Sequence, residues 1–587
     1  MKGADQLCKD IVVIWSNWNT CEICPLPLSP AMWSFFTDLF APEIMKTLLL
    51  VTPESPLYPY HDFADLLYGR IYWNMNIIAG HPIFGRVMKS TLKGFDSKVG
   101  NHFKDLLQNG DFIPVKFPRS LRGAWHILHN IIILIARILF LMIHANKSYV
   151  DRRAARFWHD ADEFEYAILE NKSNAEMIAE IKEFNAYTIH QWILAVSLLT
   201  AKGYMGYGMV DHFLKKMDDI NPDMLFRGVG GNKTAEGILE LYKLSQMPDS
   251  LKTIFQQDDA TAIIQQLKQS QEGRQYLQRF ETFMNLFGHR CAGEFDLAAE
   301  RWKDDPTFVF RMIRNYHQLD DSDTNPLQQF QQAAQQRTEL TQLARERLSK
   351  GFWNKIFPWR RVLFNSMLRM GHEFMPWREN AKYYSIRLHS GIRKRLMEIG
   401  KRLVNQGYLE NDRDVYYLTV PELEQIAKET NMQESSLKEL VNKRKQQLKE
   451  YADMEPPTFV RSDGRPFMEV VEQEPESSEA VNILRGAPAS PGIVSGIARV
   501  IMEPGQGHAL QKGEILVAPY TDPGWTPMFL LAKALIMEVG GILSHGAIVA
   551  REYGIPAIVS VKGATQLIKT GDQITVDANS GIITKNS

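Results

Sequence analysis

The sequence predicts a multidomain α and α/β protein: a large, mostly helical body over residues 1–451, a mobile linker over 452–482, and a small C-terminal α/β domain over 483–587. Three observations carry this division. A chain of 587 residues exceeds what one hydrophobic core supports. From about residue 30 to residue 451, apolar residues recur with helical spacing through stretches nearly free of Gly and Pro. After residue 480, short runs rich in Gly, Val and Ile are separated by turns and interleaved with short helical patterns, as in a compact α/β fold.

Within the body, Asp151–Glu170, Ala175–Leu199 and Leu327–Leu348 are the strongest helices. Leu327–Leu348 is rich in Gln, but its recurring apolar residues make it an exposed amphipathic helix and not a low-complexity tract. The 13-residue run Ile131–Ile143 has Arg137 at its centre and is too short to span a bilayer. It reads as a buried helix, with a membrane-surface or partner-binding helix as the alternative. Ala452–Ala480 is rich in Pro, Glu and Ser without helical period and reads as the linker. Beyond it, strands are expected at Gly496–Met502, Ile515–Ala518, Ala534–Met537, Ala557–Val561 and Gln573–Asp577. Helices are expected at Trp525–Ala532, Ser544–Glu552 and Ala564–Ile568.

Composition narrows the classes. With 67 Lys+Arg against 68 Asp+Glu, the chain has no bulk attraction to nucleic acid or anionic lipid, and neither is expected as a partner. Four cysteines cannot form a disulfide framework and fit a reduced, cytoplasmic setting. The N-terminus lacks a signal-peptide pattern. Cys21 and Cys24 with Cys8 do not complete four metal ligands, so no metal site is expected. Gly228–Thr234 imitates a phosphate-binding loop, but Asn232 stands where a glycine must precede the lysine.

The chemistry is concentrated in Gly540-Gly-Ile-Leu-Ser-His-Gly-Ala-Ile-Val-Ala-Arg-Glu552. Gly540 and Gly541 permit a sharp turn, Ser544 suits an N-cap, and His545 falls in the first helical turn. Amides and the helix dipole favour negative charge there, so Ser544, Gly546 and Gly541 are candidates to cradle a phosphate on the imidazole. A structural cap or packed histidine would give the same local pattern. With Tyr520–Met528, GGILSHGAIVAREYGIPAIV and TGDQITVDANSGII, the segment from Leu484 to about Ile583 resembles the phosphohistidine swivelling (β/β/α) domain of phosphoenolpyruvate synthase, pyruvate phosphate dikinase and rifampin phosphotransferase. The resemblance implies a covalent phosphohistidine at His545, loaded from ATP and discharged to an acceptor.

Trp15–Ser34, Gly288–Leu297, Arg301-Trp302, Arg378–Lys382 and Asp414–Thr419 resemble, in order, the substrate-binding body of rifampin phosphotransferase-like enzymes. Arg378 and Lys382, at i and i+4, share a helix face and form a cationic pair suited to an incoming phosphoryl group. A surface pair balanced by Glu373 or Glu379 has the same spacing. His289, Arg290, Glu294 and Asp296 form a polar cluster that could position an acceptor hydroxyl or brace the helices. Trp18 and Trp33, with Trp15, Phe35 and Phe36, could line an aromatic acceptor pocket or pack a core.

Relatives of this type carry an ATP-binding domain before the body, and this sequence begins where that domain would end. The expectation is that ATP and Mg²⁺ are bound mainly by a separate subunit, an arrangement that resembles phenylphosphate synthase. That resemblance implies a small, hydroxylated aromatic acceptor such as phenol, with AMP and phosphate as co-products. The alternatives are a rifampin phosphotransferase-like enzyme for a larger hydroxylated compound, or a non-catalytic binding or regulatory protein.

Overall fold

The computed structural model describes residues 12–17, 20, 24–44, 63–80, 132, 136, 144–189 and 194–586, the last with interruptions at 216, 218, 318–325, 352–356, 429–433, 455, 465–481, 523 and 542–543. The chain divides into two compact units. One comprises residues 1–198, 295–299 and 384–471, and the other 199–294, 300–383 and 472–587. Cys8, Cys21 and most of the expected linker lie outside the described residues, as does the apolar run at 131–143 except Ile132 and Ala136, which are helical and exposed where a buried helix was expected. Among the described residues no helix is long and apolar enough to cross a membrane.

The first unit contains β1 (Ile14–Ser16), α1 (Pro30–Ser34), β2 (Ala64–Leu67), β3 (Arg70–Asn74), α2 (Lys147–Tyr166), α3 (Asn174–Thr188) and β4 (Phe459–Arg461). Its antiparallel sheet, in the order β2-β3-β1-β4, was not expected from the helical period. These strands are three to five residues long, too short for alternation to register. β4 lies inside the stretch read as linker. Its Phe-Val pair suits a strand, and Ser462 N–H donates to Val13 O to seat it beside β1. The helices follow their sequence signals: Asn146 caps α2, and Ser173 with Glu176 forms a capping box on α3.

The second unit gathers α4 (Leu194–Leu214, its first residues in the other unit), α5 (Lys233–Ser245), α6 (Gln271–Phe287), α7 (Thr307–His317), α8 (Pro326–Leu348), α9 (Trp359–Phe374) and the start of α10 (Trp377–Asn405). Where α4 and α9 cross, a Cβ on Gly206 would lie 2.5 Å from Gly371 N, so only glycine permits this approach.

The same unit holds β5 (Ile483–Arg485), β6 (Ala487–Ser490), β7 (Ile493–Val500), β8 (Ile515–Ala518), β9 (Ala534–Met537), α11 (His545–Tyr553), β10 (Ala557–Val559), α12 (Ala564–Leu567), β11 (Gln573–Asp577) and β12 (Ile582–Lys585). These strands form one sheet in the order β5-β12-β11-β7-β8-β9-β10-β6. β7 to β10 are parallel, and their middle members, ILVA and ALIM, are buried throughout, as a sheet covered on both faces requires. β5 (ILR), β6 (APAS) and β12 (IITK) escape sequence reading because, unlike ILVA and ALIM, they are not continuous apolar runs, and β6 carries Pro488 at the sheet edge, where a missing N–H costs nothing. The helix expected at Trp525–Ala532 is reduced to a 3₁₀ turn at Thr526–Met528 followed by further i→i+3 bonds. The Leu531 carbonyl accepts from Gly513 N–H instead of serving a longer helix.

Candidate functional site

β9 ends at Met537, and Gly540 turns the chain with φ +132°, a value L side chains rarely adopt. Ser544 then caps α11, its Oγ accepting from Ala547 N–H at 3.3 Å. His545 is therefore the first residue of the helix, at its positive end. Gly546 is dictated by packing: a Cβ there would lie 2.2 Å from Thr521 Oγ1 and 2.7 Å from Met537 Sδ. Gly541 is half-buried at the turn.

Both ring nitrogens of His545 are engaged, and the side chain is 6% exposed. Nδ1 lies 2.6 Å from Glu379 Oε2, and Nε2 lies 3.0 Å from Thr526 Oγ1. Burial opposes the charge on Glu379. His545 outweighs it, joined by Arg378 and Lys382, and the carboxyl is held down to about 2. When the ring is neutral, an ionised Glu379 can only accept, so the single ring proton belongs on Nδ1. Nε2 then presents its lone pair, with the Thr526 hydroxyl as donor.

Arg378 and Lys382 are not a solvated surface pair, since each side chain is about three-quarters buried. Arg378 Nη1 donates to Tyr204 OH at 3.3 Å, and its Nε lies 4.0 Å from Glu379 Oε1. Lys382 Nζ lies 3.5 Å from Glu294 Oε1. The face predicted from i, i+4 spacing is thus turned toward the histidine pair.

The Gly288–Glu294 loop is the next wall. Glu294 is 1% exposed and meets Arg290 Nε at 2.6 Å, an ion-pair approach whose angle makes no hydrogen bond. Arg290 also reaches Thr234 Oγ1 at 3.5 Å and lies over the Tyr383 ring. His289 packs edge-on to Tyr383, its Nε2 3.3 Å from Tyr383 O. Cys291, pushed up to about 11 by burial, accepts from Arg301 Nη1. Asp522 ties the loop to the α/β domain: Oδ2 accepts from Gly293 N–H at 2.7 Å and Oδ1 from Gly524 N–H at 2.8 Å. Burial raises its carboxyl above the ordinary value despite the nearby Lys382.

The structure therefore brings together His545, Ser544, Gly546, Arg378 and Lys382, and it connects Glu294 and Arg290 to them through Lys382. Asp296 falls in the first unit, where its carboxylate accepts from Ser29 N–H and Oγ. Trp33 is also in that unit, half-buried and stacked on Phe36, and Trp18 lies outside the described residues. Sequence reading missed Glu379 as a site residue, although it sits between the two predicted cations. It also missed Thr526 and Asp522, which lie within the quoted Tyr520–Met528 run.

The glycine run at 228–234 does not fit a nucleotide phosphate. Asn232 caps α5 through Thr234 and Ala235 N–H, Lys233 Nζ pairs with Glu236 at 2.6 Å, and the Gly228 and Val229 amides face the carboxyl of Glu552. Among the described residues no group of three or more His, Cys, Asp or Glu side chains is placed to hold a metal ion.

Residues 196–379 match the rifampicin phosphotransferase fourth domain, and residues 510–581 match the mobile domain of PEP-utilising enzymes. The chain is 32% identical over 367 residues to a rifampicin phosphotransferase of Bacillus cereus, covering 62% of this chain and 41% of that protein. It is 32% identical over 353 residues to the prodigiosin synthesizing transferase PigC of Serratia marcescens, covering 59% and 38%. A probable phosphoenolpyruvate synthase of Staphylothermus marinus is 49% identical over 108 residues, 18% of this chain and 13% of that one. The chain spans less than half the length of these relatives. Its resemblance is thus rifampicin phosphotransferase-like, with a PEP-utilising mobile domain that contains His545.

Proposed function

We propose that this chain is the histidine-bearing component of an ATP-dependent phosphotransferase, with His545 Nε2 carrying the phosphoryl group to an acceptor hydroxyl. The observation that carries the reading is the buried His545–Glu379 pair beside Arg378 and Lys382. A proton fixed on Nδ1 leaves the lone pair on Nε2, and the Thr526 hydroxyl bonded there must turn away for that nitrogen to bond phosphorus. When the P–N bond breaks and a P–O bond forms to the acceptor, the P–N electron pair returns to Nε2, which takes up the proton given up by the acceptor hydroxyl, and Glu379, accepting from Nδ1–H throughout, balances the imidazolium so formed. Arg378 and Lys382 neutralise charge on the transferring oxygens, which is most of what this chemistry asks of a protein.

In this reading ATP and Mg²⁺ are bound mainly by a separate polypeptide, and the β-phosphate reaches His545 with AMP and phosphate as co-products. The poor fit of the glycine run to a nucleotide supports this among the described residues. The acceptor is a small aromatic alcohol such as phenol, by likeness to the split arrangement of phenylphosphate synthase.

The test is labelling by β-³²P-ATP with and without a polypeptide bearing the ATP-binding domain, comparing wild type with His545→Ala and then adding phenol. Partner-dependent, acid-labile label that is lost in the variant and moves to phenol is the expected result. No label from a partner that demonstrably cleaves ATP overturns the phosphocarrier; label that never leaves for phenol overturns the acceptor.

A further inference from the structure

Two turns beyond His545 on α11 lies Glu552, a buried carboxyl with no part in the chemistry above. It packs against the glycine run rejected as a nucleotide loop. Gly228, Gly230 and Gly231 all have positive φ there, and the Gly228 and Val229 amides act on the carboxyl. Its Oε2 nevertheless has no hydrogen-bond partner. The surrounding cations are spent on carbonyls. Arg337, from α8, donates through Nη1 to Arg227 O and Gly228 O, and Arg551 donates to Ala489 O while lying 3.6 Å from Asp223. Arg227 reaches across to Ser490 Oγ and Pro491 O, each at 3.4 Å.

The cavity beside Glu552 has apolar walls from Phe226, Val229, Met375, Pro376 and Ile548. Its other titratable members do not compensate the carboxylate. Burial lowers His372, on α9, toward its neutral form, with its ring nitrogen 2.7 Å from Leu225 O. Tyr204, on α4, accepts from Arg378. A carboxylate here has two amides and two diverted guanidinium groups against full burial. Burial wins, and the carboxyl is pushed up to about 7.

We propose that Glu552 and the glycine loop at 228–231 form a proton-coupled latch: packing of the histidine domain onto the helical body takes up one proton at this carboxyl, and separation releases it. The inference rests on the reading of the histidine domain as mobile. Once exposed, Glu552 returns to the ordinary carboxylate range. A group raised in the packed form favours packing fully below that range, and the contribution is lost as pH rises through about 7. Protonation leaves a neutral acid in the apolar cavity, whereas deprotonation leaves a desolvated charge there.

The test is hydrogen exchange of the full chain at pH 6 and pH 8, corrected for intrinsic rates. Peptides over 226–232 and 486–491 report the contact, and 515–518, in the domain core, is the reference. With the carboxyl at about 7 when packed and at its ordinary value of 4.5 when exposed, wild-type protection at the contact falls about tenfold between these pH values. Glu552→Gln, which imitates the protonated form, removes that dependence. Arg337→Gln withdraws a cation that favours the charged form and moves the midpoint to higher pH. A flat wild-type profile, an unchanged slope in Glu552→Gln, or an unmoved midpoint in a folded Arg337→Gln overturns the latch. The readout uses neither ATP nor acceptor. A failed latch therefore leaves the phosphocarrier intact, and failed labelling of His545 leaves the latch intact.

Discussion

Glu379 Oε2 and His545 Nδ1 stand 2.6 Å apart in a buried contact, although 166 residues separate them in the chain. The pair places an ionised acceptor at one edge of the ring and so decides which nitrogen of the neutral ring carries the lone pair. Glu379→Gln keeps the shape but offers an amide that can donate or accept, and the tautomer is no longer fixed. Transfer from phosphorylated His545 is expected to slow by about a hundredfold, the scale of losing one preorganised electrostatic partner. Single-turnover loss of acid-labile label measures it. A rate within about twofold of wild type removes Glu379 from the mechanism.

The same carboxyl makes a prediction about acid. Its value is lowered on folding, so its contribution to stability is complete above the ordinary value of 4.5 and is lost as pH falls through about 2. The stability of wild type relative to Glu379→Gln should therefore move against wild type between pH 6 and pH 3. Denaturant midpoints of the two proteins at each pH give the comparison. A pH-independent difference would mean that Glu379 is not held in its charged form by its neighbours.

Arg378 and Lys382 should matter at the second half of the reaction. Their side chains are mostly buried on the face toward His545, which suits neutralising a phosphoryl group in transit. Alanine at either position is expected to cut transfer to the acceptor by about a hundredfold while His545 still accepts label. Label should thus accumulate on the protein. Equal loss of loading and discharge would place the cations in assembly of the site and not in transfer.

How much of this was legible depends on the length scale of each signal. The sequence Ser544-His545-Gly546 identified a helix start, and the structure adds that Gly546 is fixed by Thr521 and Met537, which no local pattern reveals. The i, i+4 spacing of Arg378 and Lys382 predicted their common face. Glu379 between them reads locally as a neutralising neighbour, and only a tertiary contact makes it the partner of His545. β5 (ILR) and β12 (IITK) were lost because, unlike the equally short ILVA of β8 and ALIM of β9, they mix polar residues into runs too short to show a period, and the turn at Thr526 is likewise only three residues long. Asp296 shows the reverse failure: two residues from Glu294, it turns away to cap α1 through Ser29.

Gly546→Ala tests the packing argument by stability alone. The added methyl would lie 2.2 Å from Thr521 Oγ1, itself donating to Met537 Sδ at 3.0 Å, so the buried helix start must shift. A cost of about 1–3 kcal/mol is expected, as for other overpacked cores. Chemical denaturation followed at the α/β domain measures it. An unchanged midpoint would show that the helix start yields without strain.

Gly524→Ala tests the contact that carries Asp522. A Cβ at position 524 would lie 2.5 Å from Ala292 N and 2.6 Å from Ala292 Cα, and backbone atoms cannot swing aside as a side-chain tip can. The turn at 521–526 must therefore separate from the loop at 291–294. That breaks the bond from Gly293 N–H to Asp522 and leaves a buried carboxylate short of a donor. Hydrogen exchange across 291–294 should rise at least about tenfold, the equivalent of roughly 1.4 kcal/mol, while β8 and β9 stay protected. Because the loop also carries Glu294, which lies 3.5 Å from Lys382, transfer to the acceptor should fall along with the protection. Unchanged exchange in 291–294 would show that this turn does not hold the loop in place, and Asp522 would then serve only its own turn through Gly524.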